Sequence, residues 1–152
     1  MKIYEDMEMK EYSHMKIGGI AKELIFVEDK KELKDIIATR DKIFLLGNGT
    51  NTLISDGKLD ISFVSLKNFK NIEIVERHGD YDLVRAEAGL DFDELIEFME
   101  KNDYTGLENI AGVPGSVGGL VNMNGGAYGT EIFDCIEEVE VCKNDGEIKS
   151  LK

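Results

Sequence analysis

The sequence predicts an α+β fold with two lobes, a small βαβ lobe over residues 1–67 and a second lobe over residues 68–152. A strand–helix–strand pattern in the first part of the chain predicts the first lobe, with parallel strands and a right-handed crossover. Alternating strands joined by short turns predict a mainly antiparallel sheet, accompanied by helices, in the second lobe. A glycine-rich stretch over residues 106–131 stands apart, because it holds too few large side chains to form a core.

Length and charge limit the kind of protein this is. A chain of 152 residues fits one domain or two small lobes. The formal charge of −13, from 31 acidic and 18 basic residues, argues against nucleic acid and anionic membranes as partners. No apolar run approaches the roughly 20 residues that span a bilayer, and the N-terminus lacks the apolar centre of a secretory signal. We therefore expect a cytoplasmic protein.

The first lobe is predicted element by element. Residues 1–15 lack a clear period and predict an irregular arm. Glu23–Val27 and Lys42–Leu46 predict two strands, and a capping box at Asp29 opens an amphipathic helix to about Thr39 between them. Ile61–Leu66 predicts a third strand.

Two glycine motifs flank these strands. Gly18-Gly19 precedes the first strand and indicates a tight turn or a close backbone contact. Gly47–Asn51 follows the second strand at its carboxyl end, where open α/β sheets bind ligands. Its Gly-x-Gly is only part of a dinucleotide fingerprint, and no Gly-Lys-Ser/Thr follows, so a P-loop is excluded. Thr50 and Asn51 can both donate to a phosphate oxygen without adding charge, although a plain turn remains an alternative.

The second lobe begins with a hairpin, residues 71–77 and 82–88, and a helix from Asp91 to about Asn102 that opens with a second capping box. Residues 133–143 alternate and predict one long strand, followed by a turn into its partner. Cys135 and Cys142 would lie on opposite faces of that strand and should not pair, which fits a reducing compartment. The two histidines have no partners nearby in sequence, so we predict no metal site.

Gly106–Glu131 holds eight of the sixteen glycines and the only proline. Within it, Ser116 is a good N-cap for a short helix over residues 117–123. Gly118 and Gly119 fall in the first turn of that helix, where each costs roughly 1 kcal/mol relative to alanine. Close approach of a ligand to the helix would explain them.

Tyr128 stands among small residues later in the same stretch. Its ring can stack on a flat ligand and its hydroxyl can donate a hydrogen bond. The alternative is a tyrosine that merely covers a glycine-rich loop.

Three segments resemble, in order, the motifs of one family, the UDP-N-acetylenolpyruvoylglucosamine reductases. Residues 13–23 read SHMKIGGIAKE and resemble the family's entry motif around a Gly-Gly pair. Residues 45–56 read LLGNGTNTLISD and resemble its LGGGSNLLVSD-type loop. Residues 106–132 read GLENIAGVPGSVGGLVNMNGGAYGTEI and closely resemble its GLExxxGIPGTVGG…MNxGAYGxE signature, which is highly specific.

The resemblance implies the two-lobed FAD-binding domain of the vanillyl-alcohol oxidase (PCMH) type, with FAD as cofactor. It also implies an oxidoreductase that, at full length, takes hydride from NADPH and reduces UDP-N-acetylglucosamine enolpyruvate to UDP-N-acetylmuramate. That reaction belongs to peptidoglycan synthesis, and so to cell wall biogenesis, cell shape and cell division.

The resemblance assigns the pyrophosphate of FAD to the loop Gly47–Asn51 and the rest of the cofactor to the glycine-rich stretch. Tyr128 joins these residues because its ring can stack on a flat ligand and its hydroxyl can donate a hydrogen bond. The predicted FAD-binding residues are Gly47, Asn48, Gly49, Thr50, Asn51, Ile110, Pro114, Gly115, Ser116, Gly118, Asn122, Gly126 and Tyr128.

The sequence also departs from the family pattern. Asn48 replaces the middle glycine of the loop, Ile20 replaces the usual proline after Gly-Gly, and His14 stands where threonine is common. The family's catalytic arginine, serine and glutamate have no match, so we predict no catalytic residue here. The arginines that lie outside those motifs are Arg40, Arg77 and Arg85.

We accordingly expect the substrate-binding domain and the last strands of the flavin domain to be absent, and this fragment to be inactive alone. A hairpin that has barely begun would leave a sheet edge unpaired and favour self-association. Two alternatives remain: a standalone flavin- or nucleotide-binding module without catalysis, and an oxidase of the same flavin fold acting on an alcohol.

Overall fold

The computed structural model describes residues 1–152, which form two compact units. The first unit contains residues 1–68 together with 136–152, and the second contains residues 69–135. The boundary after residue 68 lies next to the predicted lobe boundary. The last segment groups with the first unit, whereas the predicted second lobe, 68–152, includes it. The division into functional lobes stays a prediction.

The first unit is built on a four-stranded mixed sheet. Its strands are β1 (Lys2–Glu8), β2 (Ile20–Phe26), β3 (Ile43–Leu46) and β4 (Lys58–Ser65), in the order β1-β2-β4-β3. The parallel βαβ unit is present, but β4 lies between β2 and β3 and pairs in parallel with both. The centre of the sheet suits β4, because Ser62–Ser65 is buried along its whole length.

The prediction of an irregular arm over residues 1–15 is wrong for residues 2–8, which form strand β1. It pairs antiparallel with β2, from Lys2 opposite Phe26 to Glu8 opposite Ile20. The sequence gives little sign of a strand because almost every residue of β1 is exposed at the sheet edge, so no apolar alternation marks it. Asp6 also has a left-handed φ of 48°, which interrupts the regular strand.

Helix α1 (Lys30–Thr39) begins where the sequence predicts. The Asp29 side chain accepts a hydrogen bond from the Glu32 amide at 2.8 Å, as an N-cap should. Glu32 does not return the bond to the cap residue; its carboxylate accepts from the Glu28 amide at 2.9 Å. The cap alone therefore fixes the start of this helix.

The first unit buries apolar side chains on both faces of its sheet, and one cluster lies on the face that carries Leu24 and Phe63. Met9, which follows β1 in a short 3₁₀ turn, is fully buried there against Leu24, Phe26 and Phe63. Leu46, the last residue of β3, belongs to the same cluster. The apolar packing therefore extends to the position where the glycine loop begins.

A buried ion pair fastens the end of α1 to the sheet. Glu23, in β2, is 6% exposed, and its carboxylate accepts from Arg40 Nε at 2.6 Å and from Ser62 Oγ at 2.6 Å. Arg40 is the C-cap residue of α1. The arginine and the serine together lower the pKa of Glu23, against the opposing effect of burial.

The second unit has a hairpin and two helices. Strands β5 (Ile72–Arg77) and β6 (Asp82–Ala86) pair antiparallel as predicted, and α2 (Phe92–Lys101) and α3 (Val117–Met123) follow. The prediction of a capping box at Asp91 is wrong, since the Asp91 side chain makes no cap hydrogen bond to α2. Its carboxylate lies 3.5 Å from Lys70 Nζ instead.

The long strand predicted over residues 133–143 is also wrong. Two short strands, β7 (Gly126–Ala127) and β8 (Thr130–Glu131), precede a 3₁₀ turn over Ile132–Cys135. Only then does the chain form a hairpin of β9 (Val139–Cys142) and β10 (Ile148–Leu151). The two cysteines are free, but they lie on different elements rather than on opposite faces of one strand. No helix is long and apolar enough to cross a membrane.

Replacing Arg40 by Met should lower the free energy of unfolding by about 2 kcal/mol near pH 7, because it leaves a buried carboxylate without its cation. We expect this loss of stability to be smaller than for a fully buried ion pair, since 28% of the Arg40 side chain is exposed. Glu23 has a lowered pKa, so its stabilisation is complete above its ordinary value of 4.5 and is lost as pH falls through the lowered pKa. Urea unfolding at neutral and acid pH measures both effects.

The control is Lys42→Met, which breaks an exposed pair with Asp60 and should leave the unfolding curve unchanged. Two outcomes would contradict the role assigned to Glu23. One is an equal loss of unfolding free energy in the two variants, and the other is a fall of stability at acid pH that is unchanged in Arg40→Met.

Candidate functional site

The loop Gly47–Asn51 leaves the sheet at the carboxyl end of β3, as predicted. Gly47, Asn48 and Asn51 are exposed, Thr50 is half-buried and Gly49 is buried. A loop of this kind offers backbone amides and short polar side chains at its surface while one residue anchors it from beneath.

Gly49 is the anchor. Its φ of +68° is left-handed, and a Cβ placed on it would lie 2.1 Å from the carbonyl oxygen of Tyr12. The next residues of the same segment hold the loop as well: the His14 amide donates to the Gly49 carbonyl at 3.0 Å, and buried Ser13 donates to the Thr52 carbonyl at 3.4 Å. Only glycine satisfies both the backbone angle and the close approach.

Residues 12–14 are therefore part of this site. Sequence reasoning placed Tyr12 only in an irregular arm, although Ser13 and His14 also open the motif over residues 13–23 that contains Gly18-Gly19. Gly19 is itself a close-approach position, since a Cβ on it would lie 2.0 Å from the Gly57 carbonyl oxygen. The predicted close backbone contact at this glycine pair is confirmed.

The chemistry of the loop suits a phosphate group. No residue from Leu45 to Ser55 carries an ionisable side chain, so nothing in the loop repels an anion. Amide and hydroxyl donors can bind phosphate oxygens without a local positive charge. The residues present thus fit the diphosphate of a dinucleotide.

In the second unit, the remaining predicted residues differ in exposure. Ile110 and Ser116 are buried, and Gly115 and Gly118 are half-buried. The exposed residues, whose side chains or backbone a ligand can reach directly, are Pro114, Asn122, Gly126 and Tyr128.

The N-terminus of α3 is occupied by protein. Ser116 accepts from the Gly119 amide at 3.3 Å, which confirms it as N-cap. The Val117 amide donates to the Leu90 carbonyl and the Gly118 amide to the Ala88 carbonyl, both at 2.8 Å. The first three amides of this helix are therefore already engaged.

Packing also accounts for Gly118. A Cβ on it would lie 2.7 Å from the Ala88 Cβ and 2.9 Å from the Ala88 carbonyl oxygen. Close approach of protein, rather than of a ligand, thus explains this glycine, and its assignment to a cofactor stays a prediction. Gly119 is less constrained, because its nearest neighbour would be the Ser116 hydroxyl at 3.2 Å.

The start of the glycine-rich stretch is fixed by a local hydrogen bond. The Gly106 amide donates to the Glu108 carboxylate at 2.7 Å. A hydrogen bond from the Glu108 amide itself, together with this bond from Gly106, lowers the pKa of Glu108. Ile110, fully buried at the end of this turn, then packs inside the unit.

Tyr128 has the most unusual conformation of the predicted residues. It is 93% exposed and forms, with Gly129, the two-residue connection of the hairpin between β7 (Gly126–Ala127) and β8 (Thr130–Glu131). Both residues have positive φ, 52° and 83°, which is the pattern of a type I′ turn. Such turns favour asparagine and glycine, so a tyrosine there is strained.

The exposure of Tyr128 settles one alternative from the sequence. A ring that is 93% exposed covers nothing, so the tyrosine does not serve as a lid for the glycine-rich loop. An open, polar depression of about 480 Å³ adjoins the hairpin, lined by Asn124, Gly126, Ala127, Gly129, Thr130, Glu131 and Asp134.

All three arginines are engaged in structural ion pairs. Arg40 pairs with Glu23, Arg77 with Asp82 and Arg85 with Glu73. None lies within the glycine loop or the glycine-rich stretch. No residue of this chain gains a catalytic assignment from these contacts.

Comparison with known proteins agrees with this description. Residues 21–152 match a family described as an FAD binding domain. A UDP-N-acetylenolpyruvoylglucosamine reductase from Fusobacterium nucleatum is 46% identical, with 100% of this chain and 53% of the relative aligned. The chain thus spans about half the length of the curated relatives it matches.

Solved structures agree as well. The crystal structure of a UDP-N-acetylenolpyruvylglucosamine reductase from Thermus caldophilus superposes with a TM-score of 0.83 at 32% identity, covering 99% of this chain and 52% of that one. A VAO-type flavoprotein from Myceliophthora thermophila superposes with a TM-score of 0.66 at 17% identity, covering 87% and 26%. The second match concerns the fold alone and confirms the predicted fold class.

Gly49→Ala should destabilise the first unit by about 3 kcal/mol or more, because it adds a backbone clash to a strained φ. Gly57→Ala is the matched control: its φ of +87° is equally left-handed, but a Cβ there meets nothing within 4 Å. We expect this control to cost only about 1 kcal/mol. Thermal unfolding compares the stabilities of the two variants. An equal loss of stability in both would show that the contact with Tyr12 does not anchor the loop.

Proposed function

We propose that this chain, which belongs to the FAD binding domain family, is the FAD-binding part of a reductase that acts on a UDP-sugar enolpyruvate. The observation that carries the proposal is alignment of the whole chain, at 46% identity, with about half of a UDP-N-acetylenolpyruvoylglucosamine reductase. The cofactor is FAD. In the whole enzyme the co-substrate is NADPH, and the product is UDP-N-acetylmuramate for peptidoglycan synthesis.

When bound, FAD supplies hydride transfer between NADPH and the carbon–carbon double bond of the enolpyruvyl group. This chain supplies binding and orientation. In the first unit, Gly47–Asn51 binds the diphosphate through backbone amides and the Thr50 and Asn51 side chains, with Gly49 fixed from beneath by Tyr12. No arginine or lysine lies within that loop, so the donors that the loop itself supplies are neutral.

In the second unit, the proposed contacts divide by exposure. Asn122, Gly126 and Tyr128 reach the cofactor directly, because they are exposed. Ile110 and Ser116 are buried and shape the backbone beneath Pro114 and Gly115, whose carbonyl accepts from the Phe92 amide at 2.9 Å. Gly118 allows α3 to pack closely on Ala88, which fixes the position of Asn122 on the same helix.

No residue of this chain matches the catalytic arginine, serine or glutamate of the family motifs. We therefore propose that residues 1–152 bind FAD but do not reduce the enolpyruvyl sugar. A second copy could pair with the outer edge of β10, which has β9 as its only neighbour. Sedimentation at rising concentration checks this self-association, and a monomer at every concentration contradicts it.

Titration of the flavin-free chain with FAD tests the proposal directly. Binding should quench flavin fluorescence and shift its absorbance, whereas a chain with native circular dichroism and no flavin response would overturn the cofactor assignment. Tyr128→Asn refines the test, because asparagine suits a left-handed φ while removing the ring. We expect this variant to be more stable by about 0.5–1 kcal/mol and to bind FAD more weakly.

The comparison variant is Tyr128→Phe, which keeps the strained backbone and the ring but loses the hydroxyl. If stacking is the role of Tyr128, Tyr128→Phe retains FAD affinity. If Tyr128→Asn binds FAD as tightly as the parent, the strained tyrosine has no part in cofactor binding.

A further inference from the structure

Lys67 lies two residues beyond the end of β4, at the same edge of the sheet as the glycine loop. Leu46, the last residue of β3, is in register with Ser65, the last residue of β4. Because the two strands are parallel, Gly47 and the turn after Ser65 leave the sheet together. Lysine is therefore brought next to a loop that contains no charge of its own.

The turn that carries Lys67 is held in place. The Lys67 amide donates to Ser65 Oγ at 3.4 Å, and the Asn68 side chain donates to the Val27 carbonyl at 3.2 Å. The Val27 amide in turn donates to the Ser65 carbonyl at 3.1 Å. The base of the lysine is thus tied to the ends of both β2 and β4.

The ammonium of Lys67 lies over an aromatic ring rather than beside an acid. Its Nζ lies 3.6 Å from the centroid of the Phe26 ring, and Lys67 takes part in no ion pair. The Tyr12 ring lies 6.2 Å from the Phe26 ring, and the Tyr12 carbonyl is the group packed against Gly49. Lys67, Phe26, Tyr12 and Gly49 therefore form one contiguous series of contacts.

We infer that Lys67 is a positioning cation for the diphosphate that the loop Gly47–Asn51 binds, a role that rests on the proposed function. The loop supplies neutral donors, and the chain has a net charge of −13, so a dianion approaching this edge needs a compensating charge. A cation held on a ring, with no carboxylate partner, keeps its charge available for the incoming phosphate. A purely structural reading, in which Lys67 only covers Phe26, makes different predictions.

The test measures FAD affinity of the 152-residue chain for Lys67→Gln and Lys67→Arg, with Lys58→Gln as control. Lys58 begins the same strand at the opposite edge of the sheet, is exposed and lacks an ion pair. We expect Lys67→Gln to raise the Kd for FAD about tenfold at low salt, Lys67→Arg to stay near the parent value, and Lys58→Gln to change nothing. In about 1 M salt, where the Debye length is about 3 Å, the difference should shrink.

Comparing FAD with riboflavin and UDP shows which part of the ligand Lys67 affects. Riboflavin lacks the diphosphate, so its affinity should be the same in Lys67→Gln and in the parent. A salt-independent loss shared by riboflavin and FAD would assign Lys67 to the packing of Phe26 and overturn the inference, as would an unchanged FAD affinity. Weakened binding of UDP with unchanged FAD affinity would overturn it too, because the lysine would then serve another diphosphate.

Circular dichroism of each variant keeps the outcomes distinct. If Lys67→Gln unfolds, Lys67→Met, which retains the alkyl stem on Phe26, replaces it and must give the same tenfold loss. If the parent chain itself binds no FAD, the proposed function fails. If the parent binds FAD and the Lys67 variants match it, only the inference about Lys67 fails.

Discussion

The contact on which this part of the molecule depends is the approach of the Gly49 backbone to the carbonyl of Tyr12. A Cβ at Gly49 would lie 2.1 Å from that oxygen, so the two backbones touch with no side chain between them. The adjoining hydrogen bond from His14 to Gly49 makes the loop and the 12–14 segment one structure. Strand β1 matters for the same reason, because its pairing with β2 fixes where residues 12–14 lie.

That rigid base suits the role that we propose for the neutral loop, which is to bind the diphosphate of FAD. Backbone amides bind phosphate well only if they converge on it before it arrives, since ordering a loop on binding costs conformational entropy. Leu46, directly before Gly47, belongs to the buried core, so the loop begins from a fixed point. The positive charge that we infer for this site belongs to a different element. It is the ammonium of Lys67, in the turn after β4, which lies over the Phe26 ring.

The second unit uses glycine in a different way. Gly118 lets α3 pack on Ala88, and the hydrogen bonds of Val117 and Gly118 consume the amides at the helix start. What the unit leaves exposed is a strained tyrosine at a hairpin tip, 93% exposed at a φ of 52°. A large apolar ring kept in an unfavourable conformation and away from the core is more readily explained by binding than by folding.

The sequence by itself determined the local elements: the N-caps Asp29 and Ser116, the hairpin of β5 and β6, and the loop after β3 all follow from short-range patterns. It also indicated the protein family, through three motifs. Tertiary structure decided what those patterns cannot encode: β1 at the sheet edge, β4 between β2 and β3, and the meeting of Tyr12, Phe26 and Lys67. The physical reason is that these contacts join residues far apart in the chain, so the glycine at position 49 has no visible cause until the fold brings Tyr12 against it.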